Sequence, residues 1–155
     1  MCAGIGTASL GAYADTSVLI SVYTRDANSE EALGLFLGGH DRVLVTPFGE
    51  TEFVNTIELL VFRRIIGASE AAGTLLDFER DLRAGSYLES RPVPTGSWQQ
   101  AHVLSRRYTS QLGTRGMDVI HVALAIELGV QVFYTFDKDQ AKLAKRAGLT
   151  VRPGR

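Results

Sequence analysis

Short apolar runs alternate along this chain with longer stretches whose apolar residues recur at helical spacing. Residues 10–14 are a small apolar run that stops at Asp15, Thr16 and Ser17 and passes into a helical stretch over 18–23. Val43, Leu44 and Val45 read as a second strand, after which Thr46 supplies an N-cap and Pro47 the first position of a helix running to about residue 66. Residues 132–136 have the β-branched and aromatic makeup of a central strand, and Asp137 begins a last helix reaching 146–148. Further helices are expected over 29–37, closed by Gly38 and Gly39, and over 69–83, 97–112 and 119–128, the last apolar nearly all round and hence buried. Residues 87–93, bounded by Pro92 and Pro94, and residues 150–151 read as edge strands. The alternation predicts an α/β fold with a largely parallel sheet of four or five strands. No internal repeat, low-complexity segment or linker interrupts it.

A chain of 155 residues suits one compact core, so 1–155 is read as a single domain. Lysine plus arginine number 16 against 17 acids, a net charge of −1, so any contact with nucleic acid has to come from a local basic patch. The apolar share of 45% and charged share of 21% exclude disordered, collagenous and coiled-coil classes. A lone cysteine, Cys2, excludes an internal disulfide framework and a cysteine-built zinc site and fits a reducing, cytoplasmic location. No run reaches the roughly 18 apolar residues of a membrane helix; the longest, 53–62, is interrupted by Asn55, Thr56 and Glu58. The first ten residues lack the positive start and solid apolar stretch of a secretion signal and read as a flexible tail.

In open parallel sheets, ligands gather beyond the carboxyl ends of the strands. Asp15 and Asp137 hold that position, Glu52 lies shortly past the second strand, and Asp118 opens a buried helix. Each acid also has an ordinary explanation. Asp137 to Gln140 matches a capping box, Asp118 looks like an N-cap, and Asp15 with Ser17 fits an Asx-type turn. Glu52 sits in a mostly apolar helical segment and must face solvent, a partner or a metal, while Glu50, two residues away, points elsewhere. Four carboxylates in one cleft repel one another unless a cation neutralises them. An all-oxygen set selects Mg2+ or Mn2+, whose chemistry is that of phosphate esters, with the ion activating a water.

These residues carry a family likeness. Asp15 to Leu19, the glutamate in the stretch 46–55, the stretch 117–125 and the stretch 134–139 resemble the successive acidic motifs of PIN-domain ribonucleases, and are most similar to VapC-type toxins of bacterial toxin–antitoxin pairs. The resemblance covers about residues 10–151. It implies a three-layer α/β/α sandwich and metal ligation by Asp15, Glu52, Asp118 and Asp137, with Thr16, Ser17 and Thr135 as hydrogen-bonding supports. It further implies Mg2+- or Mn2+-dependent endonucleolytic cleavage of RNA leaving a 5′-phosphate and a 3′-hydroxyl, a homodimer, and silencing by a VapB-type antitoxin. The stretch before the first strand is longer here than in many members.

Other residues have weaker claims. His121, one helical turn after Asp118, is within reach of the acids but fits a packing role better. Asn55, three residues after Glu52, shares a helical face with it and can bond a ligand carboxylate or a substrate. Arg63, Arg64, Arg106, Arg107, Arg115, Lys138, Lys142, Lys145 and Arg146 are the sources of phosphate contacts if RNA binds, Arg115 foremost. Trp98, Tyr108 and Tyr134 suit packing better than base stacking. Two rivals stand beside the nuclease. A noncatalytic PIN-fold module would bind RNA or protein without cutting. A haloacid dehalogenase-like phosphatase would want a second aspartate two residues after Asp15, where this chain has Ser17.

Overall fold

The computed structural model describes residues 11–38, 41–90 and 92–154. The expected tail over 1–10, including the first residue of the first predicted strand, lies outside the described residues, as does Gly39. Five parallel strands, β1 (Ala12–Ala14), β2 (Val43–Val45), β3 (Leu88–Glu89), β4 (Val132–Tyr134) and β5 (Thr150–Arg152), form one sheet in the order β3-β2-β1-β4-β5. The helices are α1 (Thr16–Tyr23), α2 (Ser29–Gly38), α3 (Pro47–Phe62), α4 (Ala68–Arg83), α5 (Ser97–Leu104), α6 (Ser110–Leu112), α7 (Gly116–Glu127) and α8 (Lys138–Arg146).

Strand alternation sorts the helices into two layers. Tyr13, Leu44, Phe133 and Val151 point to one face, where they pack with Ala101 and Leu104 of α5, Val122 to Ala125 of α7 and Leu143 of α8. Ala12, Ala14, Val43, Val45 and Tyr134 point to the other face, against Val18 and Leu19 of α1, Ala32 of α2, Phe53 and Ile57 of α3, and Ala71 and Phe78 of α4. The fold is thus the expected three-layer α/β/α sandwich. Because the sheet is covered on both faces, its three central strands, β2, β1 and β4, carry apolar residues without a polar alternate, while the edge strands β3 and β5 include Glu89, Thr150 and Arg152.

Gly11 is required at the entrance to β1. Its φ is +104°, and a Cβ there would lie 2.2 Å from the Arg42 carbonyl oxygen that accepts the Ala12 N–H.

Three elements differ from the sequence reading. The strand expected over 87–93 shrinks to Leu88–Glu89, ending well before Pro92. The helix over 97–112 contains a π-helical turn, Ser105–Thr109, inside which buried Tyr108 donates its hydroxyl to the Arg146 carbonyl at 3.1 Å. The inward residues Ala101, Leu104 and Tyr108 suit an uninterrupted α-helix equally, so the pattern hides the extra residue. α3 stops at Phe62 rather than near 66 because Arg64 adopts a left-handed φ of 58°. The Ile65 N–H then bonds to Leu60 O and the Arg64 N–H to Val61 O, a Schellman closure with arginine where glycine is usual. A search for glycine passes over it and halts at Gly67.

Candidate active site

The sheet changes direction at β1, whose chain neighbour β2 lies on one side and whose other partner, β4, on the opposite side. At such a switch point a crevice opens beyond the strand ends. Pairing of Ala14 with Tyr134 sets Asp15 across from Thr135. Asp15 caps α1: its Oδ1 accepts from the Val18 N–H at 3.2 Å and the Ser17 hydroxyl at 2.6 Å. Its Oδ2 accepts from the Thr135 hydroxyl at 2.9 Å. Ser17 in turn accepts the Phe136 N–H at 3.0 Å. Only 4% of Asp15 is exposed, and burial pushes its pKa up to about 6 against the opposing pull of His121 and these hydrogen bonds. Asp15 is thus a helix N-cap, where the sequence suggested an Asx-type turn, and the same carboxyl lines the crevice.

α3 buries Phe53 and Ile57 and swings Glu52 over the crevice. The Glu52 carboxylate accepts from the Thr16 hydroxyl and is gripped by His121 Nε2. Burial raises its pKa, but the hydrogen bond and charge of His121, with help from Thr16 and Arg115, prevail and hold it below the usual value. His121 is buried, edge-on to the rings of Tyr13 and Phe48, and its Nδ1 lies 2.7 Å from the Tyr13 hydroxyl. Burial pushes the pKa of that phenol up. The packing role expected for His121 holds, and the structure adds a grip on Glu52. Its place one turn after Asp118 was the available signal.

Two details of the remaining acids are corrected. Asp118 is not the N-cap of α7 but its third residue; Arg115 caps the helix, and Asp118 Oδ2 accepts the Arg115 N–H at 3.1 Å. An acid favours a helix start in either position, so residue type does not separate them. Asp137 does cap α8, its Oδ1 accepting from the Asp139 N–H at 2.9 Å and the Gln140 N–H at 2.8 Å. The reciprocal half of the capping box is absent. The Asp137 N–H goes instead to Thr135 Oγ1 at 3.0 Å, and the buried Gln140 side chain lies 2.8 Å from that same oxygen. Arg115, 81% exposed along its side chain, stands 3.6 Å from Asp118 and 3.9 Å from Asp137.

The structure brings all four predicted acids, Asp15, Glu52, Asp118 and Asp137, to one cleft of about 370 Å³, together with Thr16, Ser17, Arg115 and His121. Thr135 supports it from below. Asn55 does not join: it is exposed, beside Glu50 and Val54, and Thr56 lines the cleft in its place. Four residues along a helix turn about 40° past the start, whereas three fall about 60° short, and the cleft lies on the former side. Of the aromatic candidates, Tyr108 and Tyr134 are buried and Trp98 is exposed.

Among the described residues, no three histidine, cysteine, aspartate or glutamate side chains form a ready metal-ligand group. The chemistry of the donors nonetheless fits a hard divalent cation: the lining holds five carboxylates, Asp26 beside the four predicted acids, with hydroxyls and no thiolate. His121 is not a ligand, since its nitrogens are engaged by Tyr13 and Glu52. No described helix is long and apolar enough to cross a membrane.

A family model for the PIN domain matches residues 12–146. Three solved structures share the fold. VapC20 of Mycobacterium tuberculosis, described as a sarcin-ricin-loop-cleaving toxin, has a TM-score of 0.65 at 21% identity, over 90% of this chain and 96% of that one. FitAcB of Neisseria gonorrhoeae has 0.62 at 16%, over 90% and 95%. PAE2754 of Pyrobaculum aerophilum has 0.55 at 16%, over 94% and 92%. A search of curated proteins finds no match.

Proposed function

The chain belongs to the PIN-domain family, and from that premise we propose that it is a Mg2+- or Mn2+-dependent endoribonuclease, the toxin half of a toxin–antitoxin pair. The observation that carries this reading is the meeting of Asp15, Glu52, Asp118 and Asp137, drawn from four separate segments, in one cleft at the strand ends. The likeness of the fold to VapC20 supports the assignment to RNA and to a VapB-type antitoxin partner. Exposed Leu59, Phe62 and Ile65 at the end of α3 offer an apolar surface for a homodimer. We read 1–155 as one domain acting in the cytoplasm.

Asp15, Glu52, Asp118 and Asp137 would hold the ion, which when bound lowers the pKa of an attacking water and offsets charge on the scissile phosphate. The protein's own contribution is orientation. Ser17, Val18 and Thr135 fix both oxygens of Asp15, and His121, itself oriented by Tyr13, fixes Glu52 alongside Thr16. Arg115 at the rim is placed to meet an incoming phosphate, exchanging its exposed pairing with Asp118 and Asp137 for the substrate.

RNA cleavage by the wild type and by Asp15→Asn, each with Mn2+ and with chelator, tests the reading. Cleavage by the wild type alone, abolished by chelator, supports it; equal cleavage by both proteins, or cleavage indifferent to chelator, refutes it. The contacts of Arg115 and His121 with three of the acids are what favours a noncatalytic module instead. Calorimetry separates the two, since failure of the folded wild type to bind Mn2+ selects the module. Membership in the PIN family leaves the dehalogenase-like phosphatase without support.

A further inference from the structure

Beside the acidic cleft lies a second groove of about 450 Å³, which shares Asn28 and Asp137 with it. Its floor is apolar, made by Phe136, Ala141 and Pro153, and its wall carries Lys138, Lys142 and Lys145. The three lysines are exposed and stand at i, i+4 and i+7 of α8, hence on one helical face. Their backbone positions rise about 6 Å and then about 4.5 Å along the helix axis. Lys142 pairs with Asp139 at 2.9 Å, but both side chains are more than half exposed, so exchanging that partner for a phosphate costs little.

From this juxtaposition we propose that the groove seats the unpaired RNA strand running out of the cleavage site, with a base stacked on Phe136 and its flanking phosphates on Lys142 and Lys145. This rests on the nuclease reading and adds the strand's path. An acidic cleft repels a polyanion, so affinity for the backbone has to come from neighbouring positive charge, and this groove supplies it in direct continuity with the acids. An aromatic floor beside a wall of lysines suits a single strand, because a base has to leave its partner to expose a face for stacking. Asn28, at the junction of the two spaces, is the residue placed to bond the base or sugar next to the scissile phosphate.

The test is binding of a fluorescently labelled single-stranded oligouridylate, read by anisotropy across a potassium chloride series in chelator, where no cutting occurs. Each phosphate contact on a single strand contributes about 0.7 to the slope of log affinity against log salt, so Lys142→Ala/Lys145→Ala is expected to lower the slope by about 1.4. Phe136→Leu, which keeps the partly buried position apolar, is expected to weaken binding about tenfold with the slope unchanged, and to leave affinity for duplex RNA as it was. An unchanged slope in the lysine variant overturns the proposal and leaves the groove to a protein partner. Cleavage with Mn2+ is measured in parallel. If the wild type cuts RNA while the slope stays fixed, the groove fails and the nuclease stands; if the slope falls but nothing is cut, the nuclease fails and the groove stands.

Discussion

Replacing Asp15 by asparagine is expected to stabilise the metal-free protein, and by an amount that depends on pH. The carboxyl is buried, and burial lifts its pKa from 3.8 to about 6 in the folded state. A group whose folded pKa is raised contributes stability that is whole below its unfolded pKa and is lost as pH climbs through the folded one. Two pKa units at 1.36 kcal/mol each give about 3 kcal/mol lost between pH 4 and pH 7. Asparagine does not titrate and is isosteric, and the surroundings accept it. Its Oδ1 takes the bonds from Val18 and Ser17, its amide donates to Thr135 Oγ1, and the Thr135 hydroxyl turns to Gln140 Oε1, 2.8 Å away. Glu52, whose pKa is lowered, contributes with the opposite sign, its stability being fully present above its unfolded pKa and lost as pH falls through the folded one, so the wild-type curve alone mixes the two. The difference between the proteins isolates Asp15. Urea denaturation in chelator should show the two nearly equal at pH 4, with Asp15→Asn ahead by about 3 kcal/mol at pH 8. Mn2+ should then restore the wild type by about 2.7 kcal/mol at a hundredfold excess over its Kd and leave the variant unmoved. A pH-independent difference, or a variant less stable than wild type at pH 8, would refute the account of a buried, cation-seeking carboxyl.

Further expectations concern the residues around the acids. His121→Ala leaves Glu52 and Tyr13 without their shared partner, and is expected to weaken Mn2+ binding by calorimetry about 10–100-fold, the range for loss of a group that orients a ligand. Arg115→Ala, removing only exposed ion pairs, should change metal-free stability by less than about 1 kcal/mol in urea while raising KM for RNA with kcat held. Asn55→Ala should leave cleavage rates at the wild-type value, because that side chain lies outside the cleft. Gly11→Ala has to displace the Arg42 carbonyl and strain a φ of +104°, so thermal melting should show a loss of more than about 2 kcal/mol.

What the sequence determined by itself is everything written in local period and residue type. The apolar runs at 12–14, 43–45 and 132–134, and the apolar helix over 119–125, specify a covered parallel sheet because only burial on both faces tolerates them. The four acids were legible because each follows such a run or opens such a helix, and the order of their motifs carries the family likeness. Tertiary structure alone decided how they are held. The pairing of Ala14 with Tyr134 puts the Thr135 hydroxyl on Asp15, a bond between residues 120 apart that no local pattern contains. The approach of α7 to α3 puts His121 on Glu52, making a packing residue also a clamp. Which side of α3 meets the cleft selected Thr56 over Asn55, and a left-handed Arg64 ended that helix where no glycine marks it. Periodicity fixes which faces are buried; the partner a polar atom finds there depends on how separate elements dock, and that is set by the packing of the whole core.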